Sequence, residues 1–146
     1  MDEFHYNSFA QEVIFGAGSL HRLREWADDS GCQRFLLCAN HSMRVSGHIA
    51  SIENILGDRL AAVFDRVQPH VQDVQVDEVL ALAVEKNVEV IIGMGGGSPI
   101  GMAKATSAAL DKNDGTAVPV IAVPTTYAGS EMTAVYGITR TKENPP

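Results

Sequence analysis

The sequence has little positive charge and no long hydrophobic run. Its 146 residues include 11 Lys and Arg against 18 Asp and Glu, so the formal net charge is −7 at pH 7. Without a basic cluster, we expect no binding to nucleic acid or to an anionic membrane surface. The apolar stretches fall far short of the roughly 20 residues of a membrane span, and the N-terminus lacks the pattern of a signal peptide.

Cysteine is also scarce, with only Cys32 and Cys38 in the chain. If the segment between them is extended, the two residues lie about 20 Å apart. A disulfide requires Cα atoms within about 7 Å of each other. We therefore expect two free thiols, which suits a cytoplasmic protein.

Hydrophobic residues at 45% and charged residues at 20% are typical of a globular domain with a buried core. Strands are predicted at Phe35–Ala39, Leu60–Phe64, 88–92, 118–123 and 132–139. Helices are predicted from Ser19, which would cap the first one, and over residues 43–56, 73–86 and 99–110. This alternation predicts one α/β domain over residues 1–146, Rossmann-like, with a doubly wound, mostly parallel sheet and helices on both faces.

Three consecutive glycines, Gly95, Gly96 and Gly97, follow a strand-like run, and Ser98 and a predicted helix come directly after them. We call residues 95–98 the glycine segment. Glycines allow positive φ and let a ligand approach the backbone without a Cβ in the way. The helix behind them offers unpaired N–H groups and a partial positive charge. The pattern favours a site for pyrophosphate; the alternative is a turn that binds no ligand.

Two common phosphate motifs do not fit this segment. A Walker A loop places Lys directly after its last glycine, whereas Lys104 is the third residue after Gly101. The common Rossmann spacing begins correctly at Gly93 and Gly95 but then has Ser98 in place of the third glycine. We expect Lys104 to be a solvated or helix-end lysine and not a catalytic base.

A second polar cluster follows the strand predicted at 118–123. Thr125 and Thr126 come just past its end, with Ser130 and Thr133 further along. Ligands of doubly wound sheets bind outside the carboxyl ends of strands, where the glycine segment also lies. One ligand can touch both segments if their strands are close; otherwise these hydroxyls belong to an ordinary polar loop.

Residues 95–104 (GGGSPIGMAK) and 123–133 (VPTTYAGSEMT), with FGAG at 15–18, resemble the iron-containing alcohol dehydrogenase superfamily, and its maleylacetate reductase branch in particular. The resemblance implies a reductase that uses NAD(P)H to turn maleylacetate into 3-oxoadipate in the degradation of aromatic compounds. It also implies that the glycine segment holds the cofactor pyrophosphate. Thr125 and Thr126 would make further cofactor contacts, with Ser130 and Thr133 as additional candidates.

Two more cofactor contacts follow from the same resemblance. His70 lies past a strand end where relatives contact the cofactor, although a lone His is more often a surface or core residue. Asn40 stands where dehydrogenase relatives often carry Asp, which favours the free 2′-OH of NAD, so the choice between NAD and NADP stays open. Tyr127 would either flank the nicotinamide or pack within its own loop.

Members of this family continue well beyond the length of this chain into a helical domain with the metal ligands, or equivalent histidines, and much of the substrate pocket. We therefore expect no metal in this chain, catalytic residues beyond Pro146, and a small carboxylate substrate shared with the absent domain. The chain alone would be inactive. Metal-using relatives usually have Asp where this chain has Gly101. A metal-dependent alcohol dehydrogenase and a nucleotide-binding module without chemistry are the alternatives. An exposed edge strand within residues 4–15 would invite a homodimer.

Overall fold

The computed structural model describes residues 10–115 and 117–141, whose four strands form one parallel sheet. The strands are β1 (Phe35–Ala39), β2 (Leu60–Phe64), β3 (Val90–Gly95) and β4 (Val120–Pro124). Their order across the sheet is β2-β1-β3-β4, and each neighbouring pair runs parallel. Parallel neighbours require crossover connections, and helices provide them here.

Five α-helices lie in the described part of the chain. They are α1 (Arg22–Ser30), α2 (His41–Val45), α3 (His48–Leu56), α4 (Asp73–Glu85) and α5 (Gly97–Asp114). Short 3-10 turns at Ser19–His21, Gly57–Arg59 and Ser130–Met132 complete the regular structure.

The core has two layers, one on each face of the sheet. In β1, Leu36 and Cys38 point into one layer, and Phe35, Leu37 and Ala39 point into the other. Helices α4 and α5 cover the first layer, while α1 and α3 cover the second. All five residues of β1 are buried because this strand has neighbours on both sides and helices on both faces. The predicted Rossmann-like, doubly wound architecture is confirmed.

The single helix predicted over residues 43–56 is wrong, because two helices occupy this region. Helix α2 ends at Val45 and α3 begins at His48. Gly47 between them adopts a φ of 81°, which breaks the helical path. Ile49 and Ile52 of α3 are fully buried. The apolar periodicity of this region therefore identified the buried face of the helix, but it did not reveal the break between α2 and α3.

The cap predicted at Ser19 is also wrong. Gly18 occupies the capping position with a φ of 78°, and no side-chain hydrogen bond caps this turn. Ser19 instead donates its backbone N–H to the carbonyl oxygen of Gly16 at 3.1 Å. Leu23 and Ala27 of α1 nevertheless face the core, as their spacing indicates.

The strand predicted over residues 132–139 does not form in the described residues. Thr139 makes one isolated parallel bridge, to Gln72. The Thr139 carbonyl oxygen accepts from the Asp73 N–H at 3.0 Å, and the Asp73 carboxylate accepts from the Thr141 hydroxyl at 2.6 Å. The chain therefore turns back against the start of α4 and does not extend the sheet. Its apolar side chains at 135 and 138 stay exposed as a result.

The predicted edge strand near the N-terminus is not seen either. No strand forms over residues 10–15, and residues 4–9 lie outside the described part of the chain. Val13, Ile14 and Phe15 are exposed, and Phe15 retains 98% of its surface.

Both cysteines are free thiols, as their spacing predicts. Cys38 is fully buried in β1, whereas Cys32 is half-buried. Among the described helices, none combines the length and the apolar character that crossing a membrane demands.

Candidate functional site

The strand order creates a crevice at the carboxyl edge of the sheet. The chain leaves β1 towards β2 on one side, and leaves β3 towards β4 on the other. Between two neighbouring strands whose connections diverge in this way, a doubly wound sheet has its ligand-binding crevice. Asn40 follows β1 and Gly96 follows β3, so these two residues stand at the crevice.

The link between β3 and α5 is a single residue. Gly95 ends the strand, Gly96 joins, and Gly97 begins the helix. The helix predicted to start at residue 99 therefore starts two residues earlier, and Ser98 lies in its first turn. No side chain caps this helix and no acidic residue lies in its first turn. Its unpaired N–H groups and partial positive charge are thus available to an anion.

Gly95 is required by the backbone at this corner. Its φ is 137°, a conformation that residues with a side chain rarely adopt. A Cβ on Gly95 would lie 2.8 Å from Asn40 Oδ1 and 3.0 Å from Pro99 Cγ. The ends of β1 and β3 therefore meet closely, and the Asn40 amide faces the glycine segment.

Gly96 faces the other predicted polar cluster. A Cβ on Gly96 would lie 3.3 Å from Thr126 Oγ1. The Thr125 N–H donates to the Gly95 carbonyl oxygen at 2.9 Å, which continues the pairing of β3 with β4 past the strand ends. Thr125 and Thr126 are both exposed. The two motifs singled out from the sequence are thus in direct contact.

Gly93 is a positioning residue whose role the sequence spacing did not reveal. A Cβ there would lie 2.7 Å from Ile100 Cα and 2.8 Å from the Pro99 carbonyl oxygen. Because Gly93 has no Cβ, the first turn of α5 can pack directly on β3. A glycine inside an otherwise apolar buried strand is the signal that indicates such a close approach.

His70 and Ser98 meet beside the first turn of α5. The backbone N–H of His70 donates to Ser98 Oγ at 3.0 Å. His70 is exposed and has a φ of 63°, in the left-handed region. Both residues line a cleft of about 460 Å³, together with Gly97, Val71 and residues 137–139. The structure thus brings His70 to the glycine segment.

The other two predicted contacts, Ser130 and Thr133, have hydrogen-bond partners outside the glycine segment. Ser130 begins a 3-10 turn and is bonded to Lys104 of α5. Thr133 is exposed, and its N–H donates to the Ser130 carbonyl oxygen. Within residues 10–115 and 117–141, no described hydrogen bond joins either residue to the glycine segment.

Lys104 is neither the solvated nor the helix-end lysine that we expected, because it lies inside α5, which spans Gly97–Asp114. It is half-buried, and its ammonium donates to the Ser130 carbonyl oxygen, to Ser130 Oγ at 3.2 Å and to the Val135 carbonyl oxygen at 3.2 Å. Burial lowers the pKa of Lys104, while the nearby carboxylate of Glu131 opposes this effect. Tyr127 is fully exposed, so it does not pack within its loop.

The described residues do not offer a metal centre. Nowhere in the described part of the chain do three or more His, Cys, Asp or Glu side chains come together as a group that could hold an ion. Histidines such as His21, His48 and His70 stand in separate parts of the fold.

Comparison with known proteins gives one consistent set of relatives. A family model described as iron-containing alcohol dehydrogenase matches residues 10–145. A maleylacetate reductase from Sphingobium indicum is 35% identical over 137 residues, which are 94% of this chain and 36% of that protein. This chain therefore spans a little over a third of the length of the curated relatives it matches.

Solved structures agree with these relatives. The maleylacetate reductase from Rhizobium sp. strain MTP-10005 superposes with a TM-score of 0.83 at 28% identity, covering 96% of this chain and 38% of that one. The sulfoacetaldehyde reductase from Bifidobacterium kashiwanohense in complex with NAD+ gives a TM-score of 0.82 at 24% identity, covering 96% and 42%. At that lower identity, the likeness speaks for the fold alone.

Proposed function

We infer, since this chain belongs to the iron-containing alcohol dehydrogenase family, that its described residues are the nucleotide-binding part of an NAD(P)-dependent reductase. One observation carries this inference. The glycine segment joins β3 to an uncapped helix, between Asn40 on one side and Thr126 on the other, with no room for a Cβ at Gly95. This is the form of a cradle for a pyrophosphate.

The residues present fit such a group. The N–H groups of Gly97 and Ser98 would bind the pyrophosphate at the positive end of α5. Ser98 Oγ accepts from His70, which leaves the Ser98 hydroxyl proton to be donated to a phosphate oxygen. When bound, NAD(P)H would supply a hydride to the substrate.

Residues on either side of the cradle would hold the rest of the dinucleotide. The Asn40 amide would reach the ribose of one nucleoside, and the hydroxyls of Thr125 and Thr126 are placed for further contacts. An amide at position 40 neither demands a free 2′-OH nor supplies a charge for a 2′-phosphate, so the choice between NAD and NADP stays open. For Ser130 and Thr133, contact with the cofactor stays a prediction.

From the described site, we expect this chain alone to bind the dinucleotide weakly. Each hydrogen bond to a charged phosphate contributes about 1.5–3 kcal/mol, so two or three of them amount to several kcal/mol. Association costs about 4–15 kcal/mol in lost freedom. Contacts to the nucleosides must supply the rest, and in the whole protein a second domain would share them.

For the whole protein, we propose reduction of maleylacetate to 3-oxoadipate. The curated maleylacetate reductases that cover nearly all of this chain support this activity. The chain alone would be inactive, because the family's substrate pocket and catalytic residues would lie beyond Pro146. The substrate, a small carboxylate, would sit between the two domains.

A metal-dependent alcohol dehydrogenase is the second candidate, favoured by the description of the family model. Gly101 supports the reductase instead. A Cβ at Gly101 would lie 2.8 Å from Val71 Cγ2, so the Asp that metal-using relatives carry there would need Val71 to move. A nucleotide-binding module without chemistry is the third candidate.

Calorimetric titration of the folded chain with NADH and NADPH tests the binding proposal. We expect binding near the millimolar range, and absence of heat at millimolar nucleotide in a folded sample would contradict it.

For the activity, oxidation of NADH by the full-length protein is followed with maleylacetate and with simple aldehydes, with and without a chelator. Chelator-sensitive turnover of aldehydes alone would favour the metal-dependent alcohol dehydrogenase.

We also propose that the protein forms a homodimer. The exposed side chains of Val13, Ile14 and Phe15 support this, because apolar side chains in one short segment gain from burial against a partner. Light scattering after size exclusion measures the mass directly. A monomeric mass for both this chain and the full-length protein would contradict the proposal.

A further inference from the structure

The segment after β4, residues 125–135, is tied to β3 and α5 at two points, and the Gln11 side chain also donates to its Glu131 carbonyl oxygen at 2.7 Å. We call this segment the threonine loop. At its start, the Thr125 N–H donates to the Gly95 carbonyl oxygen at 2.9 Å. At its far end, the ammonium of Lys104 donates to Ser130 and Val135. Thr126 lies between these two ties, beside the position of Gly96.

The far tie uses the full donor capacity of one side chain. A lysine ammonium has three N–H donors, and Lys104 has three described acceptors, two carbonyl oxygens and one hydroxyl. The lysine stem is half-buried, and burial disfavours a charged ammonium unless its donors are satisfied. The threonine loop must therefore turn its carbonyls at 130 and 135 towards α5 to satisfy Lys104.

The same helix carries both the cradle and the tie. Helix α5 begins at Gly97 within the glycine segment, and Lys104 lies two turns further along it. Any loop held by Lys104 is thereby held in a fixed relation to the N–H groups at the start of α5. A Cβ at Gly97 would lie 3.9 Å from the Ala128 Cβ, but no described hydrogen bond joins the glycine segment to residues 130–135.

We propose that Lys104 is a positioning residue that holds the threonine loop over the glycine segment, so that Thr125 and Thr126 are in place for a dinucleotide. This proposal rests on the proposed function for its ligand. Lys104 acts through the loop and touches neither the cofactor nor the reacting atoms. Without the tie, the loop would spend only part of its time in place, and the apparent dissociation constant would rise by the inverse of that fraction.

The test compares Lys104→Met with Lys104→Arg and with Lys112→Met, an exposed lysine on the same helix. Dissociation constants for NADH are measured by calorimetry, and folding of each variant is checked by thermal unfolding. We expect Lys104→Met to weaken NADH binding by about tenfold, Lys104→Arg to restore part of the loss, and Lys112→Met to bind like the wild type.

A double-mutant cycle separates positioning from general loosening of the fold. In a Thr125→Ala/Thr126→Ala background, Lys104→Met should cause little further loss, because the contacts it positions are gone. Equal losses in both backgrounds would overturn the proposal. So would wild-type affinity in Lys104→Met.

Hydrogen exchange without nucleotide gives an independent reading. Lys104→Met should speed exchange in residues 125–135 and leave β1 and β3 unchanged, and unchanged exchange in the loop would overturn the proposal. If the folded wild-type chain binds neither NADH nor NADPH, the proposed function fails, and the ligand role of Lys104 fails with it. If the wild type binds and Lys104→Met binds equally well, only the positioning role fails.

Discussion

Replacing Gly96 with valine should abolish nucleotide binding while leaving the fold intact. Gly96 has φ −84° and ψ −157°, an extended backbone with a negative φ, which does not require glycine. The new Cβ would lie 3.3 Å from Thr126 Oγ1, and Thr126 is exposed, so it can move by the few tenths of an ångström required. We expect the free energy of unfolding to change by less than about 1 kcal/mol.

Binding should respond far more strongly than stability. The valine side chain would occupy the path of the pyrophosphate along the glycine segment. Loss of two hydrogen bonds to a charged phosphate, at about 1.5–3 kcal/mol each, removes at least about 3 kcal/mol. This corresponds to a dissociation constant raised by roughly a hundredfold or more, so no heat should be detected in a calorimetric titration with NADH.

The control is Ala81→Val, which adds a β-branched side chain at an exposed position of α4 outside the site. It should bind NADH like the wild type. Urea unfolding of both variants shows whether the fold is retained. A folded Gly96→Val protein with unchanged affinity for NADH would refute the reasoning, because the pyrophosphate would then have to bind elsewhere.

Three further predictions concern the scaffold. Gly93→Ala should lower the free energy of unfolding by about 1–3 kcal/mol in urea titrations, because its Cβ would meet the backbone of Ile100 and a close-packed core resists the shift; an unchanged midpoint would contradict the close approach of α5. Burial raises the pKa of the Cys38 thiol to about 12, so a thiol reagent at pH 8 should modify Cys32 in the folded chain and Cys38 only after unfolding, as mass spectrometry of the labelled peptides would show. Burial lowers the pKa of Lys104, so between that lowered value and the ordinary 10.5 the unfolded chain binds more protons and stability should rise with pH. The unfolding free energy of the wild type minus that of Lys104→Met should therefore become more positive as the pH rises towards 10.5, and a constant difference would contradict it.

Elements were predicted most accurately where the composition of a segment alone sets its environment. β1 and β2 were predicted with the bounds that the structure shows, because short apolar runs of this kind form strands both at the centre of the sheet, as in the fully buried β1, and at its edge, as in the half-buried β2. Elements were predicted least accurately where the same local pattern is compatible with two structures. Residues 132–139 alternate like a strand, yet hydrogen bonds between Thr139 and the start of α4 hold them against that helix.

The site shows the same division. The glycine segment and the hydroxyls at 125 and 126 were identified from the sequence, since glycine runs and hydroxyls at strand ends carry a local chemical meaning. The roles of Gly93 and Lys104 were not. Each depends on a neighbour that another part of the chain delivers, the backbone of α5 for Gly93 and the carbonyls of the threonine loop for Lys104.

The amino-acid sequence by itself indicated most of the buried strands and helix faces, predicted where an anion could approach bare backbone, and pointed to the family. These properties follow from the volume, polarity and conformational freedom of neighbouring residues. Only the tertiary structure decided that Asn40, Gly95 and Thr126 share one crevice, and that Lys104 points inward. Such contacts join residues far apart in the chain, so they depend on the order and register of the strands that bring their ends together.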